Sequence, residues 1–200
     1  MLRPYQQRIC DAVIEEYNRY TRPFVVDCFQ SSGKSWMIAD IAKRVGKCLI
    51  LCMSKELVEQ DRDKIKAVGA DVSVYSASCG EKIISDITVA TIGSIYKHPE
   101  YCTEFDLVIV DECDAVPVDK RDSMYMKLFS KIRKPVIGWT GTAFRTAYNY
   151  SRQKNGDVVQ TTVIKPLDNF KFWGKVISGI DYQELLEGKH VSPIHYYVED

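Results

Sequence analysis

The sequence has no excess of charge of either sign. It contains 27 basic and 27 acidic side chains, and its formal net charge at pH 7 is zero. Proteins that bind nucleic acid or anionic surfaces through their overall charge carry a basic excess. Any contact with such a partner must therefore come from a local group of residues.

Long apolar runs and paired cysteines are also missing. No run approaches the roughly 20 apolar residues that a membrane-spanning helix needs, and the first residues lack the apolar core of a secretory signal. The 7 cysteines are scattered without a Cys-x-x-Cys pair, and the 3 histidines have no partner at metal-ligand spacing. We therefore expect neither disulfides nor a zinc site, and predict an intracellular, cytoplasmic protein without a membrane segment.

The sequence does contain enough apolar material for one sizeable core. Hydrophobic residues make up 46% and charged residues 27%, as in ordinary soluble domains, and a chain of this size buries about 70% of its surface. Strand patterns alternate with helix patterns, which predicts an α/β fold with a mostly parallel sheet and helices on both faces. The predicted strands are 23–26, 48–53, 72–75, 87–90, 105–110 and 135–139. The polar stretch 148–157 predicts an exposed, mobile loop.

Residues 28–35 read Cys-Phe-Gln-Ser-Ser-Gly-Lys-Ser and lie between a predicted strand and a predicted helix. Such a loop presents backbone N–H groups and a helix start to phosphates, the lysine adds a positive charge, and the serine hydroxyl can ligate Mg²⁺. A chance Gly-Lys-Ser at a helix start is the alternative, because Cys28 replaces the first glycine of the P-loop pattern. The predicted nucleotide contacts are Gln30, Ser31, Ser32, Gly33, Lys34 and Ser35.

A second motif lies at the end of the apolar run 105–110, where Asp111 and Glu112 follow the predicted strand. The carboxyl ends of parallel strands are where α/β sheets place ligand chemistry. Asp111 can hold Mg²⁺ through water, and Glu112 can orient and deprotonate an attacking water. An acidic turn is the bland alternative for such a pair. With the upstream loop, however, Lys34, Asp111 and Glu112 are the predicted catalytic residues, and Ser35 and Asp111 the predicted metal ligands.

Together these motifs resemble the first motor domain of superfamily 2 helicases, the DExH/D proteins, and are most similar to the RadD-type DNA-repair helicases. The resemblance covers about residues 1–150. Its motifs lie in the family's order, with the Q-motif at 2–6, motif I at 28–35, Ia at 54–60, Ib at 91–94, II at 111–114 and III at 138–145.

The resemblance implies a RecA-like P-loop NTPase domain over residues 1–180 that uses ATP and Mg²⁺. Residues 181–200 would lead to a second RecA-like domain, which carries the arginine fingers. The implied function is an ATP-dependent DNA helicase or translocase of bacterial or bacteriophage type, with RNA as an alternative track. Without the second domain, we expect this chain to bind ATP but to hydrolyse it poorly.

The resemblance also implies roles for individual residues. In the Q-motif Gln6 reads adenine, with Arg3 and Tyr5 beside it. The residues implied to hold one nucleic-acid strand are Ser54, Lys55, Thr91, Gly93 and Ser94, although Ser54 and Ser94 could simply cap helices. The residues implied to couple the nucleotide to the strand are Asp114, Thr140, Thr142 and Arg145.

Several departures from the family pattern leave other functions open. Ser31 replaces a glycine of motif I, Gly141 and Ala143 replace the alanine and proline of motif III, and Asp114 replaces a common histidine. Of these, Ser31, Gly141 and Ala143 favour a regulatory nucleotide-binding module without motor activity. A small-molecule P-loop kinase is disfavoured by the Q-motif and motif III, whereas the motor of a restriction enzyme would share every motif.

Overall fold

The computed structural model of the protein describes residues 2–152 and 158–193. Within these ranges the helices are α1 (Pro4–Asn18), α2 (Lys34–Val45), α3 (Lys55–Ala67), α4 (Ile92–Ile95), α5 (Met124–Ile132) and α6 (Tyr182–Glu187). The strands are β1 (Phe24–Cys28), β2 (Cys48–Cys52), β3 (Ser73–Ser76), β4 (Glu81–Lys82), β5 (Ile87–Thr91), β6 (Leu107–Asp111), β7 (Val136–Thr140), β8 (Phe144–Arg152), β9 (Val158–Pro166) and β10 (Lys175–Ile180). Strands form at each of the six predicted positions.

Eight strands form one sheet in the order β10-β1-β7-β6-β2-β5-β3-β4. All neighbouring pairs are parallel except β3 with β4. Strands β2, β5, β6 and β7 are buried along their whole length, as expected of strands covered on both faces. The predicted α/β fold is confirmed.

Side chains from alternate strand positions fill two separate cores, one on each face of the sheet. In β2, Ile50 packs with apolar residues of α1, α2 and α3, whereas Leu49 and Leu51 pack with those of α4 and α5. The predicted helices on both faces are therefore present. The order of the strands brings the carboxyl ends of β1, β7, β6, β2 and β5 to one edge of the sheet, so the segments that follow these strands share that edge.

The predicted loop at 148–157 is wrong for residues 148–152, which belong to β8; residues 153–157 lie outside the described residues. Strands β8 and β9 pair in antiparallel register to form a separate two-stranded sheet. Most of β9 is exposed, so this strand is held mainly by its backbone hydrogen bonds to β8. Polarity alone therefore predicted the wrong structure here.

Strand β10 lies beside β1 and was not among the predicted strands. Only its last two residues are buried, which explains why the apolar pattern was weak. In the described part of the chain, no helix is both long enough and apolar enough to cross a bilayer.

Candidate nucleotide-binding site

The loop between β1 and α2 contains two residues in the left-handed region of backbone conformation. Ser31 has φ 65° and Gly33 has φ 81°. A side chain at Gly33 is excluded by space as well, because a Cβ there would lie 2.5 Å from Nε2 of Gln6. At Ser31, in contrast, the loop accepts this conformation with a side chain, at a cost of about 1–2 kcal/mol.

The first turn of α1 holds this loop through the carbonyl oxygen of Ser32. Tyr5 Oη donates a hydrogen bond to it over 2.8 Å, and Gln6 Nε2 donates another over 2.9 Å. The backbone N–H of Arg3 donates to Gln6 Oε1 over 2.9 Å. Nε2 has a second proton and Oε1 a second lone pair, so Gln6 can brace the loop and still bind a base edge.

Residues of α6 and of the segment that follows it also pack against α1. The ring of His190 lies 4.9 Å from the ring of Tyr5, measured between centroids. Glu184 of α6 makes an ion pair with Arg8. These residues therefore lie against the first two turns of α1, the first of which holds the loop.

Two adjoining cavities flank the loop. The first has a volume of about 410 Å³ and is lined by Arg3, Gln6, Ser31, Ser32, Gly33 and Trp36. The second, of about 370 Å³, is lined by Gln30, Ser31, Gly33, Lys34, Ser35, Trp36, Leu57, Gln60, Lys64, Asp111 and Glu112. Because Ser31, Gly33 and Trp36 line both, one elongated ligand can extend from one cavity into the other.

The three predicted catalytic residues meet in the second cavity. Lys34 Nζ lies 3.3 Å from Glu112 Oε1, and the lysine side chain is 11% exposed. Asp111 is almost fully buried; its burial, together with the charge of Glu112, raises its pKa to about 6, and Lys34 opposes this shift. Asp111 Oδ1 has no hydrogen-bond partner among the described residues.

The donor atoms here fit Mg²⁺, which prefers oxygen ligands and keeps much of its hydration. Asp111 supplies a buried carboxylate oxygen without a partner, and Ser35 supplies a hydroxyl in the same cavity. The Ser35 hydroxyl accepts a hydrogen bond of 2.6 Å from Gln60 Nε2, a contact that fixes its orientation. Sequence analysis assigned Ser35 and Asp111 to the metal but gave no role to Gln60.

Behind this cavity lies a buried carboxylate that sequence analysis missed. Asp61 of α3 is completely buried; the Cys52 thiol donates to its Oδ2 over 3.5 Å, and its Oδ1 has no partner among the described residues. Burial, followed by the charge of Asp111, raises the pKa of Asp61 well above its usual range. Asp61 lies on the same helix face as Val58 and Ile65, but it stands among charged residues, so spacing alone did not predict that a carboxylate is buried here.

The four predicted coupling residues form one hydrogen-bonded group. Thr140 Oγ1 donates to Asp114 Oδ1 over 2.7 Å, and the backbone N–H of Thr142 donates to Thr140 Oγ1 over 3.0 Å. Arg145 donates from its guanidinium to the carbonyl oxygens of Asp114 and Val116. The ends of β6 and β7 are thereby tied together at the edge that carries Lys34 and Glu112.

Gly141 replaces the family's alanine. It lies against the loop between β1 and α2, which we call the phosphate loop. A Cβ at this position would lie 3.1 Å from Gln30 Cγ and 3.3 Å from Lys34 Nζ. These distances are tighter than ordinary van der Waals contacts, so glycine lets motif III approach the lysine closely. The departure from the family pattern therefore has a local steric reason.

The predicted nucleic-acid residues lie farther along the same edge, after β2 and β5. Ser54 caps α3 by accepting from the N–H of Leu57 over 3.4 Å. Thr91 is 8% exposed, and its hydroxyl donates to Ser94 Oγ, which also accepts from the N–H of Ala77 over 2.9 Å. Lys55 and Gly93, in contrast, are exposed. The hydroxyls of Thr91 and Ser94 are thus already bonded within the protein.

Comparisons with known proteins place this fold among nucleic-acid motors. The profile of the family described as "Type III restriction enzyme, res subunit" matches residues 1–145. No curated protein sequence matches the chain.

Solved structures resemble the chain over most of its length. The ATP-dependent Type ISP restriction-modification enzyme LlaBIII bound to DNA has a TM-score of 0.64 at 16% identity, covering 94% of this chain and 16% of that one. The UvsW helicase of bacteriophage T4 has a TM-score of 0.59 at 19% identity, covering 88% and 60%. The SWI2/SNF2 ATPase core of Sulfolobus solfataricus in complex with dsDNA has a TM-score of 0.59 at 16% identity, covering 71% and 32%.

At these identities the neighbours establish the fold alone, and the chain spans less than two thirds of the length of each. They confirm a RecA-like fold. The matched family profile confirms the superfamily 2 resemblance, whereas the RadD-type subgroup stays a prediction. Since the family profile covers well over half of the chain, this protein belongs to the family of the Type III restriction enzyme res subunit.

Proposed function

We propose that the chain is the nucleotide-binding half of an ATP-driven motor that acts on DNA. The observation that carries the proposal is the position of Lys34, 3.3 Å from the carboxylate of Glu112, in a cavity that continues past the loop to Gln6. An ATP molecule lying along this path would place its phosphates at Lys34 and its adenine at Gln6 and Arg3. Family membership and the DNA complexes of LlaBIII and the Sulfolobus ATPase support this proposal.

The chemistry follows from the ion pair. When the phosphates of ATP enter, Lys34 exchanges Glu112 for the γ-phosphate, which frees the carboxylate to accept a proton from an attacking water. Mg²⁺, held by Ser35 and through water by Asp111, would neutralise charge on the phosphate oxygens when bound. Lys34 stabilises the charge that develops as the water attacks in line.

The binding of a DNA strand belongs to the same proposal. Phosphates of one DNA strand would lie against Lys55 and the backbone N–H groups near Gly93, while Ser54, Thr91 and Ser94 shape the turns that present them. The group formed by Asp114, Thr140, Thr142 and Arg145 would transmit nucleotide state to this track.

A second RecA-like domain, reached through residues 181–200 after the domain of residues 1–180, would supply the arginine fingers. Such residues are worth about 10³–10⁵ in rate, so the chain alone would turn over slowly. We also propose a cytoplasmic location and, within the superfamily, a RadD-like role in DNA repair.

The test is phosphate release by the complete protein that contains this domain, with and without DNA. Glu112→Gln should lower hydrolysis by about 10²-fold or more while nucleotide affinity stays near normal, because the amide keeps the shape but not the basicity. DNA should stimulate the parent protein. If no single- or double-stranded DNA or RNA stimulates it, the motor proposal fails and the regulatory module becomes the better explanation.

A restriction-enzyme motor is the second candidate. It is favoured by the matched family and by the likeness to LlaBIII, although both concern the motor fold that helicases share. The two candidates differ in DNA cleavage. ATP-dependent cleavage of unmodified DNA by the complete protein would favour the restriction motor, and strand separation or translocation without cleavage would favour the helicase.

A further inference from the structure

Helix α3 reaches the nucleotide cavity as well as the expected nucleic-acid face. Ser54 and Lys55 lie at its N-terminal end, and Leu57, Gln60 and Lys64 line the second cavity. Lys55 and Lys64 are nine positions apart, or roughly 14 Å along the axis at 1.5 Å per residue. One face of α3 therefore forms a wall of the cavity that contains Lys34 and Glu112.

Lys64 is held over an aromatic ring in this wall. Its Nζ lies 4.8 Å from the centroid of the Trp36 ring. In the described part of the chain, the ion pairs made by α3 are those of Lys55 and Arg62, and none involves Lys64. The ring of Trp36 positions the ammonium without neutralising its charge, so the cation stays available to an anion.

The place of Lys64 in the cavity indicates which part of a ligand it meets. Trp36 lines both cavities, whereas Lys64 lines only the one that contains Lys34, Ser35 and the acidic pair. This is the end at which phosphates would lie. Here Lys34 is paired with Glu112, whereas no carboxylate among the described residues pairs with Lys64.

We propose that Lys64 is a second phosphate-binding cation of the nucleotide site, and that it leaves the face of Trp36 when a nucleoside di- or triphosphate binds. The inference rests on the proposed function, since it requires nucleotide in this cavity. A charge-assisted hydrogen bond to a phosphate oxygen is stronger than a cation–π contact at a partly exposed site, so the exchange is favourable. Helix α3 then contacts nucleotide at one end and the DNA strand at the other.

The affinity test uses this chain, Mg²⁺ and ADP or a non-hydrolysable ATP analogue in a calorimeter. Lys64→Ala should weaken binding about tenfold, which is the usual scale for one charge-assisted contact. Lys66→Ala is the matched control, because Lys66 is exposed on the same helix and does not line the cavity. Lys64→Gln, which keeps a polar side chain one atom shorter but removes the charge, should lose affinity to a similar degree and serves as the second variant if the alanine variant unfolds.

Tryptophan fluorescence supplies an independent readout. Trp139 and Trp173 are 0% and 1% exposed, so a nucleotide-dependent change in emission reports mainly on Trp36. Nucleotide should change the emission of the parent chain as Lys64 leaves the ring. In Lys64→Ala the nucleotide-dependent change should be smaller, because only the contact of nucleotide with Trp36 remains, and in Trp36→Phe the change should disappear.

The outcomes separate this inference from the proposed function. If Lys64→Ala and Lys64→Gln bind nucleotide as tightly as Lys66→Ala while Lys34→Ala loses affinity, the role of Lys64 is overturned and the nucleotide site stands. If the parent chain binds neither nucleotide, the proposed function falls and this inference falls with it. Loss of affinity in both Lys64 variants, with an unchanged control, supports the assignment.

Discussion

The proposed nucleotide end and the proposed nucleic-acid end of the same sheet edge differ in how their polar groups are used. Around the phosphate loop, Asp111 Oδ1 and Ser32 Oγ are buried without partners among the described residues. Around α4, the hydroxyls of Thr91 and Ser94 already bond to each other and to the backbone of the segment after β3. The first end holds unmatched groups that a ligand would satisfy, whereas at the second end the hydroxyls of Thr91 and Ser94 are already satisfied by the protein. We therefore expect the domain alone to bind nucleotide better than DNA.

Lys34→Ala is the strongest test of the nucleotide half of this comparison. It should weaken the binding of Mg²⁺-ADP by about 1.5–3 kcal/mol, because a charge-assisted contact to the phosphates is lost. Calorimetry on the isolated chain measures the change, with Lys66→Ala as the control. Unchanged affinity would show that the unmatched groups around the loop do not form a phosphate site.

Asp61→Asn tests whether the buried carboxylate of Asp61, behind the same site, destabilises the folded chain. Burial raises the pKa of Asp61 to about 8, so between about pH 4 and pH 8 the folded chain holds a proton that the unfolded chain releases. Stability therefore falls as pH rises through this window. The asparagine variant lacks this dependence, and at pH 8 its free energy of unfolding should exceed that of the parent by about 1–3 kcal/mol.

Urea unfolding at several pH values measures this difference, which should shrink as the pH is lowered toward 5. Asp63→Asn is the control, because Asp63 is exposed on the same helix and the substitution should not alter the pH profile. A variant that is less stable than the parent at pH 8 would contradict the assignment of a buried, unfavourable charge.

Ser94→Ala tests the other half of the comparison. The hydroxyl accepts from the N–H of Ala77 and from Thr91, so its removal should lower the free energy of unfolding by about 1 kcal/mol. DNA affinity should change by less than about twofold, because the hydroxyl is already engaged. A large loss of DNA affinity at unchanged stability would show that Ser94 serves the strand rather than the fold.

Ser31→Gly should have the smallest effect. Glycine adopts the left-handed conformation of this position without strain, which favours the folded state by about 1–2 kcal/mol, but its greater freedom when unfolded offsets about 0.5–1 kcal/mol. The free energy of unfolding should therefore rise by about 0.5 kcal/mol, as measured by thermal unfolding. Ser31→Ala keeps the strain and should show no gain; equal gains in both variants would argue against strain at Ser31.

The sequence was sufficient where function depends on residues close together in the chain. The phosphate loop and the Asp111-Glu112 pair each follow a buried strand, and parallel strands bring such segments to one edge without further information. Ser54 was likewise predicted to cap α3, and the structure confirms it. Local chemistry and strand order together were enough for these features.

Other features depend on packing that no local pattern encodes. Asp61 lies in a run of charged residues typical of an exposed helix, and its burial results from the packing of α3 against its neighbours. Lys64 reaches the nucleotide cavity only because α2 and α3 bring it over Trp36. The polar composition of β8 concealed a strand because its partner β9 supplies backbone hydrogen bonds and requires no apolar face.

The position of β1 inside the sheet has a consequence for motion. β1 is bonded to β7 on one side and β10 on the other, so the amides of the strand that leads into the phosphate loop lie within a continuous ladder. Their exchange with solvent deuterium requires this part of the sheet to open, whereas the amides of the β8–β9 ribbon have a partner strand on one side only. If nucleotide binds beside this loop as proposed, it binds next to backbone whose amides exchange only when the sheet opens.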